Sequence, residues 1–186
     1  MEIKDPGLRP YINLKPIVIP KTYGRLSQQP FYKSKMNIVE RLINKLMVPG
    51  HRGKKHLLSS GRCTGKTQTI IKLVKEVFEK LEKRTKKNPI EILVRAIENA
   101  ALREEITSYQ MGGIIVRKAV ITSPQRRVDA ALRVIVQAAY RKAFGKKKSM
   151  ADALADEIFY AYKNDASKSE AIKEKERIER EASGAR

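Results

Sequence analysis

The sequence predicts a mainly α-helical fold: a bundle of about six helices, one protruding β-hairpin and an extended basic N-terminal arm. Three observations carry this. Beyond residue 35, apolar residues recur at three- and four-residue spacing. One Gly112-Gly113 pair separates two β-prone runs, EITSYQM and IIVRKAVIT. Pro6, Pro10, Pro16, Pro20 and Pro30 remove amide donors and keep the first segment out of helix.

Residues 1–33 form the arm, punctuated by Lys15, Lys21, Arg25 and Lys33. Basic arms often order only against a partner, although Ile17, Val18 and Ile19 could seat this one on a domain. Residues 34–165 make the helical domain. Its first helix runs from about Lys35 to Met47, with Ile38, Leu42, Ile43 and Leu46 on one face, and Pro49-Gly50 ends it. The acid-free stretch 50–66 reads as a basic loop. A second helix spans about Thr67 to Lys83, striped by Ile70, Val74, Val77, Phe78 and Leu81. Asn88-Pro89 opens the third, Asn as N-cap and Pro at the first helical position.

The hairpin follows at 105–123. Two strands alone are marginal in water, so it needs packing at its base or a partner at its tip. Ser123-Pro124 starts the fourth helix, which Gly145 can end. Ser149 and Asp152 cap a fifth, with Leu154, Ala155, Ile158, Phe159 and Tyr162 facing inward. Residues 166–186 read as an exposed, charged helical tail.

Forty Lys and Arg oppose twenty Asp and Glu, a formal net charge of +20. The excess is patterned. Segments 36–87 and 117–148 carry nets of +10 and +9, whereas 88–116 and 149–186 carry −2 each. Such concentration calls for a polyanion, and nucleic acid fits best because each neutralised phosphate releases a counterion. A membrane surface would require a basic amphipathic helix with bulky anchors, and tryptophan is absent. No apolar run approaches a membrane span, MEIKDPGLRP is unlike a signal peptide, and Cys63 is the single cysteine. These features point to the cytoplasm.

SGRCTGKT, Ser60 to Thr67, nearly matches a phosphate-binding loop, but Ser60 stands where glycine is required and the preceding run is polar. Lys66 at a helix start still suits an RNA phosphate. His51, His56 and Cys63 lack the paired spacing of a zinc site and read as solvated loop residues. Neither a metal nor a cofactor is expected, and no catalytic set can be assembled. Lys146, Lys147 and Lys148 beside Arg141 and Lys142 read as phosphate contacts rather than a solvated link. Arg126 and Arg127 sit in a first helical turn, against the macrodipole. That points to RNA contact, with a buried ion pair as the other reading. Replacing both should weaken RNA binding and flatten its salt dependence. The rival is a helix-turn-helix DNA binder, but basic residues are spread over many elements instead of one recognition helix.

Three collinear stretches add a resemblance. GKTQTIIKLVKEVFEKL (65–81), YQMGGIIVRKAVITSPQRR (109–127) and ALRVIVQAAYRKAFGKKKSMADALADEI (131–158) resemble the small-subunit ribosomal protein seven family over roughly 35–165. The additional residues 48–64, the long arm and the aliphatic hairpin resemble its archaeal or eukaryotic branch. The resemblance implies a non-enzymatic six-helix ribosomal protein that binds the head domain of small-subunit rRNA and nucleates head assembly. It also implies neighbouring ribosomal proteins as partners, and a hairpin near exit-site tRNA and the mRNA exit channel. The expected rRNA contacts are Lys15, Lys21, Arg25, Lys33, Lys35, Arg52, Lys54, Lys55, Arg62, Lys66, Lys72, Lys75, Arg126, Arg127, Arg133, Arg141, Lys142, Lys146, Lys147 and Lys148. Gly112, Gly113, Arg117 and Lys118 would carry the hairpin's contacts.

Overall fold

A computed structural model describes residues 2–50 and 63–185. Six α-helices and one hairpin follow in the order α1 (Ile38–Leu46), α2 (Thr67–Thr85), α3 (Pro89–Ala100), β1 (Glu104–Met111), β2 (Ile114–Ile121), α4 (Pro124–Ala143), α5 (Met150–Tyr162) and α6 (Glu170–Ser183). The bundle with a hairpin is the architecture that the periodicity predicts.

Local chemistry sets the helix starts. The Asn88 side chain accepts a hydrogen bond from Ile90 N at 3.0 Å, and Pro89 occupies the first helical position, where its missing amide costs nothing. Ser149 Oγ likewise accepts from Asp152 N at 3.1 Å. The α1 helix starts later than its periodicity suggests, because Asn37 caps it by accepting from Val39 N at 2.9 Å. Ser123 makes no side-chain cap, so α4 begins on Pro124 alone.

The α5 helix is the central element, packed against α2, α3, α4 and α6. Ala151, Ala153, Leu154, Ala155, Ile158, Phe159 and Ala161 are all buried, whereas Asp152 and Asp156, one turn apart, keep one polar edge in ion pairs with Lys80 and Arg84. Leu81, Ile92, Leu93, Ile97, Leu132 and Ile135 close around it.

Gly112 (φ 56°) and Gly113 (φ 89°) provide the two left-handed residues of a tight hairpin turn. The strands pair antiparallel from Glu104–Ile121 to Met111–Ile114. Packing at the base is met by α6, and Glu179 accepts from Arg103 N at 2.9 Å. Toward the tip, Tyr109, Met111, Ile114 and Ile115 stay exposed.

Both ends of the chain join the domain. In the arm, single 3-10 turns occur at Arg9–Tyr11, Arg25–Ser27 and Tyr32–Lys35. Its anchors are Ile3, Leu8 and Ile12, buried in the core, whereas Ile17, Val18 and Ile19 are exposed. Prolines mark a segment as irregular but carry no information about what it packs on. The tail also differs from its expected exposure. Ala171, Ile172 and Ala182 are buried, and Glu157, fully buried on α5, accepts from Ser169 Oγ (2.8 Å) and Ala171 N (2.9 Å). A polar latch thus does what a longer apolar stripe would otherwise do.

Candidate nucleic-acid interface

One cationic cluster joins the arm, α1 and α4. Asp129, the only acid between residues 117 and 148, accepts from Lys33 Nζ at 2.8 Å and from Arg41 Nη2 at 3.1 Å. Arg41 is buried and also donates to Tyr11 O at 2.8 Å. Burial raises the Asp129 carboxyl, but Lys33 and Arg41 outweigh it and hold the group below the ordinary carboxylate range. Lys45, one turn on from Arg41, has no carboxylate partner among the described residues. Burial lowers its ammonium pKa, and repulsion from Lys33, Arg133 and Arg41 lowers it further while Asp129 opposes. Lys33 and Arg41 therefore share one carboxylate, and Lys45 and Arg133 add positive charge beside them. A pocket of about 390 Å³ opens beside them, lined by Leu26, Phe31, Met36, Lys33, Arg41 and Lys45.

The ends of α4 hold cations of two kinds. Arg127 is turned inward: it donates to Asp5 Oδ2 at 2.8 Å and to Leu102 O at 3.0 Å, with a side chain 14% exposed. Arg126 reaches Glu105 on β1 and is 59% exposed. At the other end, Arg141 pairs with Glu170 at 3.0 Å and Lys142 with buried Glu157 at 2.5 Å. Lys148 pairs with Asp156. Lys146 and Lys147 are exposed and have no carboxylate partner among the described residues.

The remaining expected contacts face outward. Lys15, Arg25, Lys35, Lys66, Lys72, Lys75 and Arg133 are exposed, as are Arg117 and Lys118 on β2. Lys21 lies over the Tyr23 ring at 4.7 Å and Lys35 over the Tyr32 ring at 3.6 Å, so aromatics interleave the arm's cations. Arg52, Lys54, Lys55 and Arg62 lie outside the described residues, as do His51, His56 and Ser60. No metal-binding cluster occurs among the described residues, and no helix there is long and apolar enough to cross a membrane.

Sequence reasoning missed Lys45 and Arg41. The signal was present: four residues apart, they lie along one edge of the apolar stripe of α1. Their significance depends on α4, which brings Asp129 and Arg133 to the same place from about ninety residues away.

Residues 8–186 match the family described as ribosomal protein S7p/S5e. Small ribosomal subunit protein uS7 of Nanoarchaeum equitans is 50% identical over 99% of this chain and 92% of its own length. The uS7 proteins of Archaeoglobus fulgidus (50% identical) and Thermoplasma volcanium (47%) each match 100% of this chain, and 90% and 95% of their own lengths. These relatives are archaeal, and the family is not enzymatic. The match displaces both the helix-turn-helix and the nucleotide-binding readings: the chain belongs to the ribosomal protein S7p/S5e family.

Proposed function

We propose that this chain is a structural constituent of the small ribosomal subunit, where it binds the head domain of the rRNA and nucleates head assembly. The observation that carries the reading is the cluster in which Lys33 and Arg41 share Asp129 while Lys45 and Arg133, beside them, make no ion pair among the described residues. Half-burying an ammonium whose nearby carboxylate is already paired to other cations costs folding free energy, and a polyanion bound there offsets that cost. Recognition is mainly of RNA shape and phosphate.

The outward set, Lys15, Arg25, Lys35, Lys66, Lys72, Lys75, Arg133, Lys146 and Lys147, meets phosphates directly, joined by half-buried Lys21. The cations already paired inside the fold, above all Arg127 and Lys142, hold the elements that present it. Arg117 and Lys118, on a hairpin with an apolar tip, reach toward exit-site tRNA and mRNA. Residues 1–33 act as a basic arm, 34–165 as the RNA-binding domain and 166–186 as a docked charged tail. The neighbours are other small-subunit proteins, and the site of action is the cytoplasmic ribosome.

Binding to a transcript of the head domain, titrated with salt, tests this against unrelated structured RNA and duplex DNA. Tight binding that survives both competitors is expected. Equal competition by duplex DNA would reduce the claim to generic phosphate binding.

A further inference from the structure

The pocket beside Lys45 has a feature that the fold does not reward. Phe31 stands at its rim with its side chain in water, 78% exposed, and its backbone in the left-handed region at φ 65°. Bulky side chains rarely adopt that conformation, and it costs free energy. No ring contact within the protein repays it among the described residues. The interior of the pocket changes character over a short distance. Leu26 and Met36 supply apolar surface; Lys33, Arg41 and Lys45 supply positive charge. Arg41 Nε is buried without a hydrogen-bond partner, and Lys45 makes no direct ion pair among the described residues. An exposed aromatic face, an apolar wall and adjoining cations in excess of their one shared carboxylate together match a nucleotide: one flat π-surface joined to one phosphate.

We infer that Phe31 is a stacking platform for one unstacked RNA base, with the adjoining phosphate held by Lys45. The inference rests on the RNA-binding reading above and deepens it from phosphate contact to recognition of a splayed-out nucleotide. Sequence-selective RNA recognition works largely through such bases. Unlike the outward lysines, this site distinguishes a single-stranded loop or bulge from a continuous helix. Its position on the arm also gives the 3-10 turns flanking Phe31 a task, which is to hold the ring over the pocket mouth.

The absence of tryptophan makes a direct test available. Phe31→Trp introduces the only indole in the full chain, and stacking of a base on it quenches its emission. The probe is the rRNA head-domain transcript, with a fully paired RNA duplex as control. Quenching by the transcript and not by the duplex is expected. Phe31→Ala should weaken transcript binding by about five- to 150-fold, while Phe31→Tyr and Phe31→Trp retain it. Because the ring is exposed, circular dichroism and the unfolding midpoint should be unchanged in all three. If wild type binds the transcript tightly but Phe31→Trp is not quenched and Phe31→Ala binds as wild type does, the stacking site is refuted and the RNA reading stands. If wild type does not prefer the transcript over duplex DNA, both fall.

Discussion

Arg41 and Asp129 meet at 3.1 Å across the α1–α4 contact, the guanidinium side chain only 1% exposed and the carboxylate 17%. Removing one partner of such a pair leaves the other charge buried and uncompensated. Asp129→Asn should cost about 3 kcal/mol in urea unfolding, and Lys33→Ala, removing the half-exposed partner, less than about 1 kcal/mol. The pH dependence follows from the lowered carboxyl. Its contribution is complete above the ordinary value of 3.8 and is lost as pH falls through the folded-state value below it. Asp129→Asn should therefore flatten the acid limb of the stability curve.

Lys45 gives the opposite limb. Burial and neighbouring cations lower its pKa in the free protein, and an RNA phosphate would raise it again. Binding then takes up a proton at alkaline pH, so affinity should fall as pH rises toward 10.5, beginning below it. In Lys45→Arg the charge persists, and the affinity profile over the same range should be flatter. An unchanged profile would remove Lys45 from the interface.

Arg126 and Arg127, adjacent in sequence, should separate in experiment. Arg127→Ala breaks the tie to Asp5 and Leu102 and should lower stability by about 2 kcal/mol. Arg126→Ala loses a largely exposed pair with Glu105 and should cost less than about 1 kcal/mol. Thermal unfolding of the two single variants distinguishes them.

The buried Glu157 carboxylate accepts from Ser169, Ala171 and Lys142. Glu157→Gln would remove the ion pair to Lys142, leaving that ammonium its bond to Lys168 O, and weaken the seat of α6. Hydrogen exchange should accelerate over 169–183 while α2 and α3 remain protected, because local opening need not unfold the rest.

Lys146 and Lys147 make no side-chain hydrogen bond or ion pair among the described residues. Alanine at both should leave the unfolding midpoint within about 0.5 kcal/mol of wild type. The slope of log affinity against log salt should become shallower by about 2. An unaltered slope would mean that these lysines are merely solvated.

Wherever one short stretch decides the outcome, the sequence is readable. Asn88-Pro89, Ser149 with Asp152 and Gly112-Gly113 each fix a boundary through bonds or dihedrals spanning a few residues. Apolar periodicity likewise identifies the buried face of α5. The seating of Ile3, Leu8 and Ile12 is not readable in this way, because it depends on partners far along the chain. The same holds for α6, whose few buried apolar residues conceal the contribution of Glu157. Candidate contacts divide similarly. Exposure of Lys146 and Lys147 follows from local composition, but the inward turn of Arg127 requires Asp5, 122 positions away.

That separation has a consequence during synthesis. Asp5 and its neighbours are made early, yet Arg127 follows 122 residues later, roughly 6–25 seconds at ordinary elongation rates of about 5–20 residues per second. For that interval the leading segment lacks its tie to α4. Nascent chains of this protein can therefore hold their first residues only through α3, where Glu98 accepts from Lys4 N (2.7 Å) and Asp5 N (3.1 Å), until α4 adds the second tie.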